Sequence, residues 1–154
     1  MRVSNWARIV GALLAVVFVV GCGGEDNPTP PAGGTGVQGT VTVVPGSPAD
    51  PTNARAAVYS SLADWANDAW VKQTAVLRSG SVWTFTIDQL TPGTYYVDVW
   101  KDINSDGQVN PGDLYGVYTT GTLGQPAPLV VAAGQLTPFT MVVVLNKASG
   151  KGMQ

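Results

Sequence analysis

Residues 85–102, FTIDQLTPGTYYVDVWKD, carry two alternations of apolar and polar side chains joined by a turn. A period of two places successive side chains on opposite faces of a strand, so one face of each segment is expected to be buried. The side chains expected to point inward are Phe85, Ile87, Tyr95, Val97 and Val99. Leu90 fills the turn, and Gly93, which has no Cβ, lets the second strand begin. The stretch therefore predicts two consecutive strands, each with one face in the core.

The same alternation recurs through residues 37–145. In VQGTVTVV, residues 37–44, Val37, Val41 and Val43 share one face of a half-buried strand. Short runs bounded by Gly, Pro, Asn, Asp or Ser follow at residues 54–60, 70–78, 82–87, 94–101, 114–120, 127–132 and 136–145. Seven or eight such strands predict an all-β fold, an antiparallel Greek-key β-sandwich with one short helical turn.

The helical turn is predicted within SSLADWANDAW, residues 60–70, where apolar residues recur at helical spacing. Ser61 and Asp64 stand at the spacing of a capping box. We interpret Trp65 and Trp70 as covering the end of the core, because tryptophans of small domains mostly serve to bury apolar area. The alternative is that these two rings form a platform for a sugar.

The spacing F-x-[apolar]-x-x-L-x-P-G-x-Y in residues 85–95 resembles the carboxypeptidase regulatory-like, prealbumin-like sandwich superfamily, which includes the Cna protein B-type modules. The resemblance covers residues 37–145 and implies a non-catalytic module of an exported protein that binds, spaces or supports other parts. Some members form an isopeptide bond between a first-strand lysine and a last-strand asparagine. The first strand here has no lysine, so Asn146 is not expected to form that bond.

The N-terminus has the pattern of an export signal, with Arg2 and Arg8 before an apolar run at residues 9–20. A transmembrane helix needs about 20 apolar residues, so this shorter run predicts a signal peptide over residues 1–21. The adjoining VVGC resembles the bacterial lipobox, which implies that the Cys22 thiol carries an acyl chain such as palmitate and anchors the protein to a membrane. The alternative is a nearby cleavage that leaves a secreted protein with a free thiol.

Residues 22–36 are rich in Gly and Pro and predict a flexible tether, followed by the sandwich domain at residues 37–147 and a disordered tail at residues 148–154. Without the signal peptide the chain has six basic and ten acidic residues, a net charge of −4 that disfavours nucleic acid as a partner. Gly23 stands where lipoproteins retained in the inner membrane carry aspartate. We therefore expect the cell envelope, at the outer membrane, on its periplasmic or surface-exposed face.

The stretch between two predicted strands, residues 102–113, reads DINSDGQVNPGD and fits the calcium-loop pattern D-x-[DN]-x-[DN]-G-x5-[DE]. The predicted ligands are the side chains of Asp102, Asn104 and Asp106, the carbonyl of Gln108, Asn110 directly or through water, and the carboxylate of Asp113. The loop departs from an EF-hand because its last ligand is aspartate and because a strand precedes it. It predicts a calcium ion that braces the loop; the alternative is a metal-free turn, which uses the same residue types.

An enzyme is disfavoured because the sequence has no histidine, and Asp64 and Asp68 are interpreted as solvated charges. Two non-enzymatic functions remain. The first is a structural or protein-interaction module of the cell envelope. The alternative is a carbohydrate-binding module that stacks sugars on exposed aromatic residues. Tyr96, Asp98 and Trp100 are expected to share an outward face, and Tyr96 and Trp100 are the candidate contacts with a polysaccharide.

Overall fold

The computed structural model describes residues 34–44 and 49–147. Along the chain the elements are β1 Gly36–Val43, β2 Arg55–Tyr59, α1 Leu62–Ala66, β3 Lys72–Ala75, β4 Leu77–Ser79, β5 Val82–Ile87, β6 Gly93–Lys101, β7 Leu114–Val117, β8 Leu129–Val131 and β9 Leu136–Leu145. The predicted mostly-β fold with one short helix is confirmed. The signal peptide, Cys22, most of the tether and the predicted tail lie outside the described residues. Within the described ranges, no helix is long and apolar enough to cross a membrane.

The strands form one continuous sheet in the order β3-β2-β6-β7-β9-β1-β5-β4, and β8 pairs with the start of β6. Every pair is antiparallel except β1 with β9, which run parallel from Gly36↔Leu136 to Val43↔Val143. The prediction of a wholly antiparallel sheet is therefore wrong at this pair. Alternation along a strand specifies its buried face but neither its neighbour nor the direction of that neighbour.

The sheet curls into a nearly closed barrel with two layers, which meet at β9. The first part of β9 pairs with β1, whereas its last residues pair with β7, as in Tyr115↔Val144. We call β4, β5, β1 and residues 136–143 the β1 layer, and β3, β2, β6 and β7 the β6 layer. The main core lies between them and contains residues of both, such as Val41 and Val97.

The predicted inward faces of residues 85–102 are confirmed, since Phe85, Ile87, Tyr95, Val97 and Val99 are all buried in the main core. The two strands of this stretch are not neighbours, because β5 lies in the β1 layer and β6 in the β6 layer. Leu90 is buried in the crossing between the layers, and its N–H donates to the carbonyl of Thr35 at 2.9 Å.

The run predicted at residues 70–78 forms two strands, not one. β3 pairs with β2, whereas β4 pairs with β5 in the other layer. Val76 lies between them with its side chain buried in the main core, and its N–H donates to the carbonyl of Ala54 at 2.8 Å. The chain thus crosses layers at Val76, which an unbroken apolar-polar pattern does not reveal.

Helix α1 lies against β2, on the outer side of the β6 layer. Its N-cap is Ser61, whose hydroxyl accepts the Asp64 N–H at 3.0 Å, as the sequence pattern predicts. Trp65 is buried in a second, smaller core with Tyr59 and Tyr115, so the interpretation that it covers the core is confirmed. The same interpretation is wrong for Trp70, which is 44% exposed and belongs to neither core.

Candidate functional site

The loop at residues 102–113 joins β6 to β7 and is held at its base by the strands around it. Its flanking residues, Lys101 and Leu114, pair across the two strands. Asn146, which directly follows β9, adds three hydrogen bonds: Gly112 N–H to the Asn146 carbonyl at 3.0 Å, Asn146 N–H to the Asp113 carbonyl at 2.7 Å, and Asn146 Nδ2 to the Asn110 carbonyl at 3.3 Å. The loop is therefore a fixed part of one end of the domain.

Asp102 organises the first half of this loop through backbone N–H groups. Its Oδ1 accepts from Ser105 at 2.6 Å and from Asp106 at 3.3 Å, and its Oδ2 accepts from Gly107 at 2.8 Å. The chain curls around the carboxylate because Ser105 and Gly107 adopt φ of 61° and 76°. Glycine suits the second position because it enters this left-handed region without a Cβ penalty.

Three predicted ligands meet in the middle of the loop. Asp106 Oδ2 accepts from the side-chain amides of Asn104, at 3.0 Å, and Asn110, at a shorter distance. The other oxygen, Asp106 Oδ1, accepts the Gln108 N–H at 2.8 Å. The two asparagine side chains thus converge on one carboxylate oxygen, and each also carries an Oδ1 atom that a rotation of its amide would present instead.

Asp113 is the last residue of the loop, directly before β7, and it is only 1% exposed. Its Oδ1 accepts the Ile103 N–H at 2.9 Å, and its Oδ2 accepts the Asn110 N–H and the Trp100 indole N–H, each at 3.1 Å. This carboxylate ties the start of the loop to its end and fixes the indole of Trp100. Sequence spacing alone assigned Asp113 to a ligand set and missed these contacts.

The predicted ligands therefore divide into two groups. Asn104, Asp106 and Asn110 converge, whereas the carboxylates of Asp102 and Asp113 accept backbone N–H groups of the loop. Over residues 34–44 and 49–147, no three Asp, Glu, His or Cys side chains gather closely enough to hold a metal ion together. The donor types fit a hard cation such as calcium, because every predicted ligand offers oxygen.

The second region of interest is the outer side of β6, where Tyr96, Asp98 and Trp100 share a face as predicted. That face is covered instead of open: Asp98 is 0% exposed, and the two aromatic rings are half-buried against the second core. Sequence reasoning missed this burial. One feature of the sequence could have indicated the burial: Asp98 stands between Tyr96 and Trp100 on the same face of the strand.

Asp98 receives hydrogen bonds from two buried tyrosines. The Tyr59 hydroxyl lies 3.1 and 3.2 Å from its two oxygens, and the Tyr115 hydroxyl lies 3.4 Å from Oδ2. Burial raises the pKa of both tyrosines above its ordinary value, and the negative charge of Asp98 raises each pKa further. Both hydroxyls therefore stay protonated and remain donors. Trp65 Nε1 donates to the Tyr115 hydroxyl at 3.1 Å, which joins α1 to the cluster.

Arg55 borders this cluster and forms an ion pair with Asp68, whose side chain is 41% exposed, so the charge that the sequence predicts to be solvated also has a partner. Its guanidinium donates to both oxygens of Asp68, at 2.8 and 2.7 Å, and lies 4.0 Å from Asp98. It also lies over the Trp100 ring, 5.0 Å from the centroid. Burial acts to lower the pKa of Arg55, but the Asp68 hydrogen bonds and the neighbouring charges raise it overall. One face of Trp100 is thus occupied by Arg55.

No protein-family model matches the chain, and neither a curated protein nor a solved structure shows significant similarity to it. The resemblance to the prealbumin-like superfamily therefore stays a prediction from residues 85–95.

Proposed function

We propose that the protein is a lipid-anchored, non-enzymatic module of the cell envelope, attached through Cys22, whose loop at residues 102–113 binds calcium. The observation that carries the calcium proposal is the convergence of Asn104, Asp106 and Asn110 at the centre of a loop whose base is fixed. The proposed fold assignment is a Greek-key sandwich of the prealbumin-like type, and the proposed location is the outer membrane. The supporting features are the export pattern and the strand-rich fold.

The proposed ligands are the carboxylates of Asp102, Asp106 and Asp113, together with the oxygens of Asn104, Gln108 and Asn110. Bound calcium would supply positive charge among three carboxylates that lie within twelve residues. Because β6, β7 and β9 fix the base of the loop, the ion stabilises one conformation and opens no pair of helices. The proposed role of the ion is therefore structural, because it would hold the loop at this end of the domain in one conformation.

Calorimetry and thermal unfolding test this proposal on the purified chain. Calcium at ten times its dissociation constant stabilises the folded state by about 1.4 kcal/mol, which raises Tm by several degrees relative to chelator. Asp106→Ala removes the central carboxylate and is expected to abolish both the binding heat and the Tm shift. The control Asp88→Ala replaces an acid outside the loop and keeps both. A wild-type chain that releases no heat with calcium and melts identically in chelator would contradict the proposal.

The anchor is tested separately in cells. Metabolic labelling with palmitate is expected to mark the wild-type chain and the control Gly24→Ala, and fractionation to place both with membranes. Cys22→Ala removes the only thiol of the chain and is expected to abolish the label and release the protein. Label on the Cys22→Ala chain would show that the lipid is attached elsewhere.

Sugar binding by Tyr96 and Trp100 has less support. Arg55 lies over one face of the Trp100 ring, and the indole N–H donates to Asp113. A ring held in this way offers less surface for stacking than a free one. Binding on a glycan array that Trp100→Ala removes, while Trp70→Ala keeps it, would favour the sugar function instead.

A further inference from the structure

A cavity of about 240 Å³ lies at the end of the domain where β6 and β9 finish. Three parts of the chain form its walls: the segment that precedes β2, the residues on either side of the 102–113 loop, and the end of β9. The side chains that give it its chemistry are Asp50, Lys101, Ile103, Leu114 and Leu145. None of the predicted calcium ligands lines this cavity.

The apolar part of the cavity is aliphatic. Ile103 is 55% exposed and Leu145 is 43% exposed, whereas Leu114 is buried. A ligand that covers the two exposed side chains would remove apolar surface from water, which favours binding. This wall therefore suits an aliphatic group of a ligand.

The cation of the cavity is held in place. The Lys101 ammonium donates to the backbone carbonyls of Asp50 at 2.8 Å and of Thr52 at 2.9 Å. An ammonium group has three N–H donors, and no third acceptor lies within reach among the described residues. Lys101 thus has a fixed position and one donor left for a ligand.

The anion of the cavity is held in the same way. One oxygen of Asp50, Oδ1, accepts from the Thr52 hydroxyl at 2.6 Å, from the Thr52 N–H at 2.9 Å and from the Trp83 indole at 3.1 Å. These hydrogen bonds lower the pKa of the carboxyl to about 2, so it is ionised at neutral pH. Over residues 34–44 and 49–147, no donor reaches its Oδ2.

The two charges line one cavity without neutralising each other. In the part of the chain that the structure describes, Lys101 forms no ion pair with the Asp50 carboxylate and binds the backbone carbonyl of that residue instead. A ligand with only a negative charge would meet Asp50, and one with only a positive charge would meet Lys101. A ligand that carries both charges complements the cavity.

We propose that this cavity binds an aliphatic α-amino acid in its zwitterionic form. The carboxylate of the ligand accepts from Lys101, its ammonium group donates to Asp50 Oδ2, and its side chain packs on Ile103, Leu114 and Leu145. The cavity is smaller than the roughly 300 to 1,000 Å³ of sites for drug-sized ligands, which fits one small molecule. This inference goes beyond the proposed function and depends on neither calcium nor the lipid anchor.

An NMR titration tests the site on the ¹⁵N-labelled chain with Cys22→Ser, in chelator, so that neither lipid nor calcium contributes. L-leucine is expected to shift the backbone amides of residues 49–50, 101–103, 112–114 and 145 with a dissociation constant of about 1 mM. Leucinamide lacks the carboxylate, 4-methylpentanoate lacks the ammonium group and glycine lacks the side chain. Each is expected to bind about tenfold more weakly or worse.

Two variants test the charges of the cavity. Asp50→Asn keeps the shape of the side chain, and Lys101→Met keeps an apolar stem; each is expected to weaken leucine binding about tenfold or more. The matched controls are Asp88→Asn and Lys72→Met, which change an acid and a lysine that pair with each other outside the cavity. Both controls are expected to bind leucine like the reference chain. Should Lys101→Met fail to fold, Asp50→Asn decides alone.

A reference chain whose amides at the cavity do not shift with about 20 mM leucine overturns the proposal. So does 4-methylpentanoate that binds as tightly as leucine, or an Asp50→Asn chain that binds like the reference chain. Asp106→Ala is expected to lose calcium binding and keep leucine binding. Failure of the calcium proposal and failure of this one are therefore separate results.

Discussion

The two layers of the domain treat their outer sides in opposite ways. The outer side of the β6 layer contains a buried acid, two tyrosines and an arginine, and α1 covers it. The outer side of the β1 layer carries threonines and aliphatic residues, and no element of residues 34–44 and 49–147 covers it. Both come from strands that alternate apolar and polar residues. A polar residue at an outward position of a strand is therefore not necessarily exposed. It is buried where other parts of the chain pack on the outer side of the sheet and supply its hydrogen-bond partners.

The largest loss of stability is expected when the buried polar cluster on the outer side of the β6 layer is disrupted. Asp98→Ala removes the carboxylate that accepts from the Tyr115 hydroxyl, leaves Tyr59 with Asp68 as its acceptor, and removes the buried charge beside Arg55. Removing one partner from a buried charged network costs about 3 to 5 kcal/mol of unfolding free energy. Denaturant unfolding measures the loss. Thr86→Ala on the outer side of the β1 layer is the matched control and is expected to change stability by less than about 0.5 kcal/mol. Equal losses in the two variants would remove the distinction between the layers.

A medium effect is expected at the inner side of β1, within the β1 layer. A Cβ added at Gly39 would lie 2.3 Å from the Phe85 ring, which is buried in the main core, so the ring would have to shift. Gly39→Ala is therefore expected to cost about 1 to 3 kcal/mol through overpacking. The control Gly121→Ala adds a Cβ with no atom within 4 Å. Thermal unfolding of both variants gives the comparison, and a Gly39→Ala chain as stable as the control would contradict the packing described.

The smallest effect is expected at Asp50, which accepts a hydrogen bond from Trp83 of the β1 layer. The Thr52 hydroxyl and N–H and the Trp83 indole donate to Asp50 and lower the pKa of its carboxyl to about 2. A lowered folded-state pKa adds stability that is complete above the ordinary value of 3.8 and is lost as the pH falls through about 2.

This pH dependence is measured as Tm between pH 5 and pH 2. Asp50→Asn is expected to flatten the acid end of the curve slightly. Parallel curves for the wild-type chain and Asp50→Asn would mean that the contacts of Asp50 do not affect folding.

Local patterns predicted most of the strands and the helix cap. Alternation correctly placed Val37, Val41 and the inward residues of β6 in the core, and Ser61 begins α1 as its spacing with Asp64 indicates. These features depend on residues that are close in sequence. The parallel pairing of β1 with β9 and the crossing at Val76 depend on which strands meet in space, and alternation carries no such information.

The same division holds at the candidate site. Asp102 and Gly107 shape the loop as the calcium pattern predicts, because both act on neighbours within five residues. The burial of Asp113, its contact with Trp100 and the tie to Asn146 come from separate strands and could not be predicted. Asp98 was missed for the same reason, since its tyrosine partners lie on β2 and β7.

The parallel ladder between β1 and β9 has a mechanical consequence. Its eight residue pairs run from Gly36↔Leu136 to Val43↔Val143, so the entry to β1 and the exit from β9 lie at opposite ends of the ladder. A pull applied between these two points loads all the hydrogen bonds of the ladder in shear, whereas in a hairpin they would open one at a time. The ladder therefore resists tension applied between the start of β1 and the end of β9.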